Sequence, residues 1–122
     1  MMLELLPGEF SVCKLEAPIA APPAGDFCFV ANTDREYSLV CETAGVPATG
    51  VIAREDGWCA MRVCGELDFS LIGILAGISQ VLAAARVGIF VVSTYDTDYI
   101  LTKARDLDRA LDALTAAGYE IA

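Results

Sequence analysis

Apolar and polar positions divide the second half of the chain into alternating strand-like and helix-like runs. Residues 58–65, WCAMRVCG, read as a strand with few polar interruptions. Residues 71–85, LIGILAGISQVLAAA, place Ile72, Leu75, Ile78 or Ser79, and Leu82 at helical spacing. The alanines favour that helix, while Gly73 and Gly77 leave room for another backbone. Residues 87–95 form a β-branched strand, Asp96-Thr97 a tight turn, and residues 98–103 the returning strand. Residues 107–117 form an amphipathic helix with Leu107, Ala110, Leu111 and Leu114 as its buried stripe. Arg105, Asp108, Arg109 and Asp112 fall on its wet side; Gly118 stops it, and residues 119–122 make a last strand. The resulting order is βαββαβ. It predicts an α+β, ferredoxin-like fold, an antiparallel sheet with both helices on one face.

The first half repeats this pattern incompletely. Residues 10–16 read as a strand, and residues 27–32 and 36–41 as a hairpin turning at Thr33-Asp34-Arg35. Sliding VANTDREYSL (residues 30–39) onto VSTYDTDYIL (residues 92–101) pairs Val30 with Val92, Asp34 with Asp96, and Tyr37 with Tyr99. That is an offset of 62 residues. The preceding strands instead match at an offset of 50, Glu16 on Glu66. The first copy is therefore about twelve residues shorter between strand and hairpin, about three helical turns. APIAAPPAG stands there, and Pro18, Pro22 and Pro23 forbid a regular long helix. The second helix is also degraded, because ETAGVPATG is interrupted by Gly45, Pro47 and Gly50. We expect two tandem units, residues 1–57 with reduced helices and residues 58–122 complete.

Composition narrows the chemistry. The chain has 122 residues, 56% of them hydrophobic, a net charge of −9, and a pI near 4.2. This balance argues against disorder, against binding phosphates of nucleic acid, and against an anionic membrane surface. There is no histidine. That removes histidine-based nucleophile systems and histidine metal sites. The five cysteines, Cys13, Cys28, Cys41, Cys59 and Cys64, are odd in number, lack CxxC spacing and lie in apolar segments. They read as reduced, mostly buried thiols of a cytoplasmic protein, with redox sensing or zinc binding as the lesser alternative. Cys59 and Cys64, on one strand, would point to opposite faces ~17 Å apart, too far for a disulfide. MMLELLPGEF lacks the basic region of a signal peptide. The uncharged stretch 69–85 is 17 residues long, short of a bilayer span. No catalytic residue, cofactor or metal is expected.

GELDFSLIGILAGISQVLAAARVGIFVVSTYDTDYILTKARDLDRALDAL, residues 65–114, resembles the ACT family of small amino-acid-binding domains. More closely it resembles short tandem-ACT proteins related to the amino-acid-binding regions of aspartate kinases and to cytosolic arginine sensors. The most specific parts are IGILAGISQVLAAA and STYDTDYIL after a GIF strand. The first half joins only through the internal duplication. The resemblance implies a regulatory module, allosteric rather than catalytic. It would bind a free amino acid or similar zwitterion at an ACT–ACT interface and pair as a homodimer.

In such families the ligand lies between the loop entering the first helix and a neighbouring hairpin. Here those are Leu67, Asp68, Phe69, Ser70, Leu71, Ile72 and Gly73, and Thr94, Tyr95, Asp96, Thr97 and Asp98. The chemistry agrees. Unpaired amides at a helix start favour a carboxylate, and Gly73 lets it approach. Asp96 and Asp98 suit an ammonium group. The same residues also fit plainer roles: Asp68 or Ser70 as a helix cap, Asp96-Thr97 as a turn, and Gly73 and Gly77 as packing positions. A structural oligomerisation module without a ligand is the alternative reading.

Overall fold

The computed structural model describes residues 1–65 and 72–122. Its elements, among the described residues, are β1 (Met2–Leu5), β2 (Phe10–Leu15), β3 (Cys28–Asn32), β4 (Tyr37–Glu42), β5 (Val51–Val63), α1 (Ile74–Ala84), β6 (Ile89–Ser93), β7 (Asp98–Lys103), α2 (Leu107–Ala116) and β8 (Glu120–Ile121). The chain is mixed α+β with the ferredoxin-like order. It forms two compact units, one of Met1–Pro7 with Cys59–Ala122 and one of Gly8–Trp58.

The first of these is the complete unit. Strand β7 pairs with β6 and β5, β1 pairs antiparallel with β5 (Leu3 opposite Val63), and β8 runs parallel to β1. The ferredoxin-like set β8, β5, β7, β6 thus carries an extra strand, β1, between β8 and β5. Residues 1–7 therefore leave the unit of residues 1–57 in which the sequence reading placed them. The reason is packing: Leu3 is fully buried with Met61, Val63, Ile78, Leu82, Val87, Ile100, Ala110 and Leu114. These side chains come from β1, β5, β7, both helices and, for Val87, the link from α1 to β6, so both helices cover one sheet face. Each large aliphatic side chain buried there contributes about 1.5–3 kcal/mol.

Helix α1 begins three residues later than its apolar spacing suggests. Ile72 fits the stripe by period, yet it is 94% exposed and precedes the helix. Gly73, at φ +84°, is the residue that turns the chain into the helix. At the other end Arg86 takes φ +61° while Arg86 N–H donates to Ala83 O and Val87 N–H to Leu82 O. This closes the final turn as a glycine would. Arg109 is exposed, on the wet side as expected, and from there it donates to the carbonyls of Ala85 (2.9 Å) and Arg86 (3.1 Å). A cation there is favoured by the negative end of the α1 dipole.

The reduced unit keeps the sheet and loses the helices. Strand β5 pairs with β2, β2 with β4 and β4 with β3. That is again the fourth, first, third and second strand of the pattern. The 16–27 segment holds no helix, and after β4 only a single 3-10 turn, Thr43–Gly45, forms. Apolar side chains from these loops, Ile19 and Val46, pack on the cluster of Cys13, Leu15, Leu39 and Cys41 where helices would otherwise lie. The strand β5 reaches back to Val51, through Arg54, Glu55 and Asp56, which periodicity did not mark as strand. Those positions are exposed and charged, so no apolar alternation marks them.

The hairpins of the two units have the same backbone, at an offset of 61 rather than 62. Thr33 N–H donates to Glu36 O and Thr94 N–H to Thr97 O, both at 2.9 Å. Asn32 faces Tyr37 as Ser93 faces Asp98. Strands β4 and β7 share one burial sequence along their length. Each leads into a 3-10 turn, Thr43–Gly45 or Ala104–Asp106. Only the second continues as α2, because Pro47 follows the first. The pairing of Asp34 with Asp96 is therefore one residue out of register.

Candidate functional site

Five of the predicted site residues, Leu67, Asp68, Phe69, Ser70 and Leu71, lie outside the described residues. The helix start they were expected to form is at Ile74. The amides without an intrahelical acceptor are thus those of Ile74, Leu75 and Ala76, since Gly77 N–H makes the first bond, to Gly73 O. The cap position belongs to Gly73. Among the described residues, a Cβ built on Gly73 would meet nothing within 4 Å, and the first turn of α1 holds no acidic residue. Gly77 differs: a Cβ there would come within 3.1 Å of the Tyr119 hydroxyl, so its role is packing.

The hairpin residues Thr94 to Asp98 divide into structural and exposed members. Thr94 Oγ1 donates to Thr97 O at 3.1 Å, holding the turn. Ser93 Oγ donates to Asp98 Oδ1 at 2.5 Å, which engages that carboxylate across the mouth of the hairpin. Thr97 is buried, and its hydroxyl donates to Val63 O at 2.7 Å. That bond fastens the hairpin to the last residue of β5, beyond which the chain runs toward α1. Tyr95, 79% exposed, and Asp96 form the solvent-facing tip. The turn reading therefore accounts for Thr94 and Thr97, and it leaves the Asp96 carboxylate in water.

A cluster on the opposite sheet face escaped the sequence reading. Arg62 lies between core residues Met61 and Val63, so alternation turns it away from the helices. Its guanidinium bonds Glu4 at 2.7 Å and lies 5.9 Å from the Tyr99 ring centroid. Hydrogen bonds to Glu4 and Tyr99 hold Arg62 more firmly charged than usual. The period-2 positions of Glu4, Arg62 and Tyr99 carried the signal. That signal is weak because β1 is only four residues long and pairs with strands far along the chain.

A family model described as ACT domain matches residues 48–116. The Agobacterium tumefaciens protein Atu0741 is 32% identical over 99% of this chain and 91% of its own, with a TM-score of 0.88. The chain belongs to the ACT domain family. Two less similar structures share the ACT fold. The regulatory subunit of aspartate kinase from Thermus thermophilus, in ligand-free form, is 13% identical over 95% of this chain and 96% of its own (TM-score 0.66). Aspartate kinase from Clostridium acetobutylicum is 13% identical over 94% of this chain and 33% of its own (TM-score 0.65). A search of curated proteins finds no match. Among the described residues no helix is long and apolar enough to cross a membrane. The ACT hairpin Thr94–Asp98 and the start of α1 are thus the described parts of the candidate site.

Proposed function

We propose that this chain is a regulatory ligand-binding module, and that its ligand is a free amino acid or a similar zwitterion held on the complete unit. The ligand carboxylate would lie against the amides of Ile74, Leu75 and Ala76, which have no intrahelical acceptor, beside Gly73. Its ammonium group would face Asp96, with Asp98 behind it. The carrying observation is the Thr97–Val63 bond, which ties the acidic hairpin to the strand feeding the ligand loop. The first turn of α1, which offers positive dipole and no carboxylate of its own, supports the other half of the reading. The module would act by binding rather than by catalysis, as a cytoplasmic homodimer.

A thermal-shift screen against the twenty amino acids tests this. A ligand at about a hundred times its dissociation constant adds roughly 2.7 kcal/mol of stability. In a chain of this size that raises Tm by roughly 10 °C. Asp96→Asn should weaken the shift and leave the unliganded Tm within about 2 °C, since the residue is exposed. If no amino acid moves Tm, the reading is wrong and a structural oligomerisation module takes its place.

A further inference from the structure

We propose that Cys28 and Cys41 are a site of reversible disulfide formation, joined by a peroxide-class oxidant to staple β3 to β4. The pair stands directly opposite across the hairpin. The Thr33 N–H to Glu36 O bond closes the turn as a hydrogen-bonded pair. Counting outward from it, bonded and non-bonded pairs alternate, and Cys28–Cys41 falls on a non-bonded pair. Cα atoms of such pairs are about 4.5 Å apart, inside the ~4.4–6.8 Å that a disulfide spans.

A third thiol makes the assignment selective. Cys13 packs in the same apolar cluster, but it faces Leu39 on β4 while Cys41 faces Ser11. Cys13 and Cys41 are thus diagonal neighbours with Cα atoms ~7–8 Å apart, beyond disulfide reach without backbone movement. Cys59 and Cys64 belong to the other unit. None of the five cysteines is in a disulfide in this structure.

The steps balance. The sulfur of Cys28, the more exposed of the two, attacks the peroxide O–O bond, giving a sulfenic acid and one water. The sulfur of Cys41 then attacks the Cys28 sulfur. The S–S bond forms as the hydroxyl leaves with the Cys41 proton as a second water. Two thiols are oxidised and one peroxide is reduced. Burial pushes both thiols up, Cys41 to about 11, so both stay protonated at neutral pH and react slowly.

The test is peptide mapping. Treat the intact protein with hydrogen peroxide, block free thiols with iodoacetamide, and digest with trypsin without reductant. Cleavage after Lys14, Arg35, Arg54 and Arg62 puts each cysteine on its own peptide. The expected product joins peptide 15–35 to peptide 36–54, disappears on adding dithiothreitol, and persists in Cys13→Ser. The closed loop should also raise Tm by about 5 °C or more, as constraint of the unfolded chain requires. Finding both peptides still alkylated, or Cys41 joined chiefly to Cys13, would overturn the proposal.

Discussion

Replacing Thr97 with valine keeps its shape and removes only the hydroxyl. That hydroxyl is the donor to Val63 O at 2.7 Å, from a residue 7% exposed. The lost bond costs about 1 kcal/mol, and weaker satisfaction of a buried carbonyl adds up to about 1 kcal/mol more. For 122 residues each kcal/mol moves Tm by roughly 4 °C. Thr97→Val should therefore lower Tm by about 6 °C, read by calorimetry or urea titration. Thr97→Ser keeps the donor and loses one methyl, about 0.8 kcal/mol or about 3 °C. Hydrogen exchange adds a local readout. The Cys64 amide, bonded to Met2 O beside the tether, should lose more protection in the valine variant than in the serine variant. If serine proves the more damaging substitution, the methyl packing and not the tether holds the hairpin, and the argument for its position collapses.

Other consequences are equally direct. Gly118 closes α2 at φ +99°, with Tyr119 N–H donating to Leu114 O; Gly118→Ala should cost about 1 kcal/mol by denaturant titration. Arg86 occupies the same place after α1 without glycine's freedom, so Arg86→Gly should be neutral or stabilising by up to about 1 kcal/mol, and a clear loss would contradict the strain argument. The Cys41 thiol is raised from 9.0 to about 11, by burial first and by the nearby Cys13 and Cys28 next. Its contribution is whole below pH 9 and is lost as pH rises through 9 to 11, because the unfolded chain gives up that proton first. Melting curves from pH 8 to 11 should show this decline, and Cys41→Val should flatten it.

Legibility in the sequence followed how strongly each segment depends on local chemistry. Strand β7 could be read to its ends because Asp98–Lys103 is bounded by a turn and by a helix start. Helix α2 was equally plain, with a stripe of leucines and a terminating glycine. The beginning of α1 was not, since Ile72 satisfies helical spacing while Gly73 breaks the helix by backbone conformation alone. Strand β1 was missed because its four residues gain their stability from partners at Val63 and Ile121, far along the chain. The outer half of β5 hid behind its charges. In the candidate site, the turn chemistry of Thr94 and Thr97 was visible as turn residues. The tether to Val63 was not, because nothing local indicates where a buried hydroxyl finds its acceptor.

The one-residue correction to the internal repeat changes what the duplication means. At an offset of 62 both hairpins carry an aspartate at the tip. At the structural offset of 61, Thr33 matches Thr94 and Arg35 matches Asp96. A strand shifted by one residue turns every side chain to the other face, so only the structural register compares like with like. What the copies share is the threonine that closes the turn and the burial sequence of the following strand, both demands of folding. What they do not share is the charge at the exposed tip. An ammonium group is favoured beside Asp96 and disfavoured beside Arg35. If the module binds a zwitterion in the way proposed, Arg35→Asp should leave its affinity nearly unchanged, and Asp96→Arg should abolish it.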